Sequence, residues 1–314
     1  MPLPNSDKIA SMSLIADPAA SDRPAGAWLR ALRLHHWSKN LFVFVPLLLG
    51  HVYGDASKVF SAAAAFLSLG VLVSAGYMIN DIADIDADRQ HDSKRHRPFA
   101  SGRISGRAGI AVAAAMIVLA FAGALALSRD FTVLLFAYFL LTVCYSLWLK
   151  KIALLDVAAI CTMLTLRIAA GAAVIGIGQS PWLLSFSAAF FLSLALAKRH
   201  SEIRQAAFAG AEAIAGRGYR ADDWPLTLAF GVGAGLISIV IMLLYLTNDA
   251  APSGFYPHQG FLYAMPAIVL IWLMRVWVLS QRRELHDDPV IFALRDPASL
   301  AFGAIAAIAF VCAI

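Results

Sequence analysis

Residues 59–79 read VFSAAAAFLSLGVLVSAGYMI and run directly into residues 80–98, NDIADIDADRQHDSKRHRP. The first part is uncharged and roughly twenty residues long, the length of a membrane span. The second opens on Asp81, Asp84 and Asp88, with Asp86 among them. If the helix continues past the span, positions i, i+3 and i+7 lie on one face. Carboxylates crowded there repel one another, and a divalent cation relieves the repulsion. Mg2+ is the usual oxygen-ligated ion that carries phosphates. Asn80 adds a neutral oxygen ligand or orients one, and Lys94, Arg95 and Arg97 bring positive charge suited to phosphate oxygens. The stretch therefore reads as a Mg-diphosphate site at a membrane edge. The plainer reading is a solvated, mixed-charge loop between two spans. Against it, the acids begin within a residue or two of the apolar run, where ionisable groups are usually functional.

Working outward, the 314 residues are 60% hydrophobic and 14% charged, with a mean hydropathy of +0.72. A soluble domain carries about a quarter charged residues, so the chain reads as an integral membrane protein. About nine spans are expected from unbroken apolarity and length: 37–53, 59–80, 108–127, 131–149, 154–177, 181–197, 226–246, 260–279 and 297–314. Pro46 is expected to kink the first. Residues 1–27, rich in Ala, Ser, Pro and Asp, read as a mobile tail without the apolar core of a signal peptide, and 28–314 as one transmembrane domain. The longest polar connection, 198–224, is a place for a short amphipathic helix. Cys144, Cys161 and Cys312 fall in apolar segments without metal-ligand spacing and read as packing residues.

Charge sets the expected orientation. Of the 25 Lys and Arg, Lys58 and Arg129 flank one side of the spans and Arg167 lies within the fifth. The remainder flank the other side, which places those loops and the N-terminus in the cytoplasm of a bacterial inner membrane. A net charge of +5 suits anionic headgroups and substrates. No basic-aromatic surface argues for nucleic acid.

Other constellations sit at the same basic ends. Tyr145 and Lys150 close the fourth span, where positive charge also simply complements a helix C-terminus. Lys198, Arg199 and Glu202 close the sixth, and Lys39 precedes the first. All are candidates for phosphate binding, with topology signalling as the plain alternative. Asp156 and Arg167 share the fifth span, and a buried Arg there calls for a partner in an interhelical salt bridge or a substrate. No GxSxG elbow, P-loop or Rossmann fingerprint is present.

Asn80, Asp81, Asp84 and Asp88 match NDxxDxxxD, with Lys94, Arg97 and Pro98 at the expected downstream positions. In this the chain resembles the UbiA superfamily of intramembrane prenyltransferases. The resemblance implies an all-α helical bundle of about nine transmembrane helices. Its central cavity would open to the cytoplasmic side, with Mg2+ held by Asp81, Asp84 and Asp88. Typical members carry a second Asp-rich motif in the sixth span; this chain has KRHSE, residues 198–202. That segment, RLHHWSKNLFVFVPL from Arg33, and YSLWLKK, LLDV and LRIAAG between Tyr145 and Gly171 are similar to the decaprenyl-phosphate phosphoribosyltransferase branch. The branch implies phosphoribosyl pyrophosphate as donor and a polyprenyl phosphate as acceptor, with Lys198 and Arg199 on a monophosphate. Prenyl transfer from a prenyl diphosphate to an aromatic or other small acceptor stays open, as does a non-catalytic anion transporter.

Overall fold

The computed structural model describes residues 24–90, 94–214, 216–250, 254–285 and 288–314, and among them it is helical with a single isolated β-bridge. Most of the expected tail therefore lies outside the described residues. Helix α1 (Pro24–Leu32) opens the described chain. A 3-10 stretch, Leu34–Phe44, leads into the short α2 (Val45–Leu49). Then come α3 (Ala56–Ala83), α4 (Ile85–Arg89), α5 (Gly106–Leu127), α6 (Arg129–Leu147), α7 (Leu155–Val174) and α8 (Pro181–Phe208). The chain ends with α9 (Trp224–Tyr245), α10 (Ala264–Gln281), α11 (Pro289–Arg295) and α12 (Pro297–Ala313).

Among the described residues seven helices are long and apolar enough to cross a membrane. The bent pair α11 and α12, at 83° to each other, makes up to eight. The first expected span, 37–53, is not one long helix. Proline lacks an N–H and is tolerated only in a helix's first turn, so Pro46 opens the short α2 instead of kinking a long one. Gly50 and His51, the latter at φ 53°, end it. The sixth span is longer than expected because no breaker intervenes before Gly210. Residues 198–202 lie within α8, and among the described residues of this connection no amphipathic helix follows. The chain instead doubles back, with Ala213 bridged to Arg220.

The chain folds as two compact units, residues 1–35 with 73–117, and residues 36–72 with 118–314. In the first, Ala27 and Ala31 of α1 pack with Ala75 and Met78 of α3, with Phe99 and Ile104, and with Ala113 of α5. Gly109 lets the Phe99 ring and Ile82 press on α5, since a Cβ there would stand 2.4 Å from the ring.

In the second unit α7 is the inner helix: 61% of its apolar window is buried, against 17% for α6. Val133, Phe136 and Leu140 of α6 are exposed as lipid-facing residues are. On α9, Gly231 and Gly235 share a face, and a Cβ at Gly231 would stand 2.2 Å from the Trp277 ring. Small residues of this kind let membrane helices approach closely. Ser193 of α8 then donates to the Gly231 carbonyl at 2.7 Å and accepts from the Trp277 indole at 3.1 Å. Cys161 is buried as expected, whereas Cys312 is exposed.

Gly171 fixes how α7 meets the segment before α2. A Cβ at Gly171 would lie 2.1 Å from the Val43 carbonyl oxygen and 2.9 Å from its carbon. Backbone atoms cannot rotate away as a side chain can. Gly171→Ala gains about 1 kcal/mol of helix propensity, yet overpacking costs about 1–3 kcal/mol. The variant is expected to melt at a lower temperature in detergent than wild type. An unchanged or raised midpoint would show that the Val43 backbone moves freely off α7.

Candidate active site

In the first unit the span α3 delivers Asn80 and Asp81 at its last turn. The backbone loosens at Asp84 (φ −94°, ψ 7°) and re-forms as α4. Hydrogen bonds from the Asp84 N–H to the Asn80 carbonyl (3.0 Å) and from the Asp88 N–H to the Asp84 carbonyl (2.8 Å) carry the helical register across. Asp81 and Asp88 are thus both buried and converge on one nitrogen: Arg97 Nη1 lies 3.2 Å from Asp81 and 2.7 Å from Asp88. Arg33, just after α1, grips Asp81 through one Nη at 2.7 and 2.9 Å, its guanidinium 5.0 Å from the Tyr77 ring centroid.

Asp84 stands apart from this network and accepts from Asn80 Nδ2 at 2.9 Å. Asp86 is exposed and lies 3.6 Å from Arg89. Lys94 and Arg95 are exposed on the one-turn 3-10 helix Lys94–His96 and do not join the carboxylates. Arg33 was not a site residue in the sequence reading. Its only signal there was its place at the head of RLHHWSKN, 48 residues from Asp81.

The donor set suits a hard divalent cation: two buried carboxylates already meet on one positively charged nitrogen, with Asp84 and Asn80 beside them in sequence. Among the described residues no three Asp, Glu, His or Cys side chains form a ready metal cluster. The Arg97 guanidinium stands where such a charge is called for.

In the second unit candidates from α7 and α8 meet around Asp156, joined by Tyr219, which the sequence did not single out. Asp156 is fully buried in the first turn of α7, where a carboxylate is favoured by the helix dipole. Arg199 Nη2 pairs with Asp156 at 2.7 Å, and its Nη1 with Glu202. Lys198 lies 3.7 Å from the same Glu202. Tyr219 donates to Asp156 at 2.6 Å and accepts from the Leu154 N–H at 2.8 Å. His200, wholly buried, contacts Gln281 at 2.7 Å and the Trp224 carbonyl at 3.1 Å, tying α8 to α10 and α9. Arg199 is therefore committed to two carboxylates.

Tyr145, at the end of α6, accepts from Arg217 at 2.8 Å. Lys150 sits on the one-turn link Leu149–Lys151. Lys39 is paired with Asp288 at 2.7 Å.

Of the two partners left open for Arg167, an interhelical salt bridge is absent among the described residues. The partners of Arg167 are neutral: Asn40 Oδ1 at 3.0 Å, the Met163 carbonyl at 2.7 Å and the Tyr138 hydroxyl at 2.7 Å. Three good acceptors and the Tyr138 ring, 4.7 Å from the guanidinium, replace a carboxylate. The bonds fasten the 3-10 stretch and α6 to α7. The second unit also encloses a cavity of about 490 Å³ at the opposite ends of these helices, lined by Ile168, Phe186, Met242, Leu246 and Phe310 among others.

The chain belongs to the UbiA prenyltransferase family, whose model matches residues 41–312. It is 47% identical over 290 residues to the uncharacterized protein y4nM of Sinorhizobium fredii, a match covering 92% of this chain and 56% of that protein, so the chain spans about half its length. It is 33% identical to nodulation protein NoeC of Azorhizobium caulinodans, over 90% of this chain and 91% of the relative. Decaprenyl-phosphate phosphoribosyltransferase of Mycobacterium tuberculosis is 32% identical over 58% of this chain and 62% of its own. Among solved structures, a UbiA homologue from Archaeoglobus fulgidus bound to GPP and Mg2+ matches with a TM-score of 0.66 at 17% identity, covering 91% of this chain and 98% of that one. The fold is thus that of UbiA, and its long apolar helices make the chain an integral membrane protein of that family.

The Tyr219 hydroxyl must stay protonated to serve Asp156. Burial, and then its hydrogen bond to that carboxylate, push the phenol well above its ordinary value. A group so raised contributes stability that is complete below the unfolded value of about 10 and is lost as pH rises through the folded one. Tyr219→Phe removes a hydrogen bond to a charged group, worth about 1.5–3 kcal/mol. It is expected to lower the melting midpoint equally at pH 6 and pH 9, with the deficit closing only above about pH 10. A deficit that changes between pH 6 and 9 would count against this role.

Proposed function

We propose that the protein transfers the 5-phosphoribosyl group from phosphoribosyl pyrophosphate to a polyprenyl phosphate, releasing pyrophosphate. The observation that carries this reading is the end of α8. In place of a second acidic motif it holds Lys198, Arg199, His200, Ser201 and Glu202, and the Arg199 guanidinium lies between Asp156 and Glu202. One acidic motif answers to one diphosphate, and an acceptor that carries a monophosphate needs cations and no second metal. The similarity to decaprenyl-phosphate phosphoribosyltransferase supports the same choice.

In this reading Asp81, Asp84 and Asp88, with Asn80, hold Mg2+ and the donor diphosphate. The ion, when bound, stabilises the negative charge of the leaving pyrophosphate. Arg97 no longer neutralises Asp81 and Asp88 in that state and offers its N–H groups to phosphate oxygens, assisted by Lys94 and Arg95. A lipid phosphate oxygen forms the new bond to C1 of the ribose while the C1–O bond to the diphosphate breaks, its electron pair leaving with pyrophosphate. The attacking oxygen is already ionised, so no side chain has to remove a proton. Lys150, Tyr145 and Lys198 are proposed for the monophosphates. Exclusion of water protects the donor from hydrolysis. The basic ends of the helices are proposed to face the cytoplasm of a bacterial inner membrane.

Asp81→Asn and Asp84→Asn are each expected to abolish turnover at near-normal expression, because neutral amides bind Mg2+ weakly. Full activity in either variant, or activity indifferent to a chelator, would remove the metal assignment. The donor is tested in nanodiscs with labelled phosphoribosyl pyrophosphate and labelled geranyl diphosphate against a membrane lipid extract. Transfer from geranyl diphosphate alone would restore prenyl transfer as the activity. Absence of Mg-dependent pyrophosphate release with either donor would turn the reading toward a transporter. For topology, a cysteine at Gly178 is expected to be labelled from outside the cell and one at Ala213 to be protected, both positions being exposed; the reverse pattern inverts the orientation.

A further inference from the structure

We propose that Arg217 binds a phosphate-monoester oxygen of the substrate, held in position by Tyr145. This rests on the phosphoribosyl reading, in which a monophosphate on the lipid or on the sugar must be recognised. The bonds of the other cations narrow the choice. Arg199 is bound by Asp156 and Glu202, Lys39 by Asp288, and Arg275 by Asp296 at 2.8 and 2.9 Å. Arg217 has a different kind of partner: among the described residues its side chain donates to one neutral oxygen, Tyr145 Oη at 2.8 Å. Its guanidinium stands 5.9 Å from that ring's centroid. The side chain is half-buried, so the charge is partly withdrawn from water, and among the described residues no carboxylate is paired with it.

The backbone places it there deliberately. Gly216 has φ +72°, a conformation costly for other residues. Gly218 lies so close to the link between α6 and α7 that a Cβ would stand 2.5 Å from the Lys151 carbonyl and 2.7 Å from the Ala153 nitrogen. Tyr219 is locked to Asp156 and to the Leu154 N–H. Arg217 is thus seated over a link that itself carries Lys150 and Lys151. Lys150, Lys151 and Arg217 are carried by adjoining segments of like charge, which an anion would offset.

The anion's chemistry follows from the donors. A guanidinium fork, a phenol hydroxyl and lysine ammonium groups are all hydrogen-bond donors, and together they fit a phosphate monoester. They offer no fixed pocket wall for a carboxylate-bearing ring. The monoester has two sources, the lipid monophosphate or the 5-phosphate of the sugar donor.

The test measures binding, so it does not depend on which donor is turned over. Wild type, Arg217→Gln and Tyr145→Phe are compared in nanodiscs with three probes: a polyprenyl phosphate, the corresponding polyprenol, and phosphoribosyl pyrophosphate with Mg2+. Wild type is expected to prefer polyprenyl phosphate to polyprenol. Arg217→Gln is expected to bind one phosphate probe ten- to a hundredfold more weakly, polyprenol unchanged, with the melting midpoint preserved. Loss for the lipid phosphate assigns the site to the acceptor, and loss for the donor assigns it to the sugar 5-phosphate. Tyr145→Phe is expected to reproduce part of the loss. Equal affinities for all three probes in wild type and Arg217→Gln overturn the proposal. A lowered midpoint with unchanged affinities also overturns it and makes Arg217 a loop anchor. If geranyl diphosphate proves to be the only donor used, the phosphoribosyl reading falls, while the lipid-phosphate comparison still decides Arg217.

Discussion

A charge set at the end of an apolar helix needs a partner, because hydrocarbon offers no water to solvate it. That constraint shapes both units. Breaking a buried ion pair on one side costs about 3–5 kcal/mol, whereas the intact pair contributes little net stability. Such pairs therefore fix position more than they add stability. Asp156 with Arg199 and Tyr219 joins the start of α7, the end of α8 and the doubled-back chain after it. Asp81 and Asp88 with Arg97 join the end of α3, α4 and the turn that follows. Where no carboxylate is at hand the same need is met by neutral oxygens, as at Arg167.

The two ionic groups differ in what they leave available. Asp156 is fully enclosed: one oxygen accepts from the Val157 N–H and the Tyr219 hydroxyl, and the other is paired with Arg199. Asp81 and Asp88 share a single nitrogen of Arg97, and that arginine is part-exposed. A shared, reachable cation is easily exchanged for another, and the carboxylates already point at a common place. Burial keeps the acids oriented while the exposed guanidinium keeps them exchangeable. In the proposed reading this distinction, and not the mere presence of acids, makes the first group the place for chemistry and the second a brace.

Most spans were legible from apolarity and length, because membrane helices need no sequence pattern beyond an uncharged run of sufficient length. The order of the acidic motif was legible too, since i, i+3 and i+7 share a helical face whatever surrounds them. Local backbone behaviour was less so. Pro46 reads equally as a kink or as the first turn of a new helix, and what decides it is the close approach of Val43 to Gly171, 128 residues away. The partners of Arg199 were hidden for a similar reason. A basic residue at a span's end is ambiguous until its neighbours are known, and Asp156 and Tyr219 come from two other segments. Arg33, Asn40 and Arg217 escaped notice because their partners lie 48, 127 and 72 residues off. Arg and Asn carry no periodicity that announces such pairings.

Helix α7 shows how these contacts combine. Asp156 at its start takes up α8 and the returning chain; Arg167 in its middle holds Asn40 and α6; Gly171 beyond it admits the backbone at Val43. Each contact is of a different kind, an ion pair, a set of neutral hydrogen bonds and a van der Waals seat, so no single loss frees all of the neighbours. The neighbouring chain can then carry a charged group outside these contacts. Gly218 and Tyr219 fix the backbone against the link, and the Arg217 side chain beside them makes its bond to the neutral Tyr145 hydroxyl. A cation held in this way, and carried beside two lysines, serves a negatively charged visitor better than one already claimed by a carboxylate.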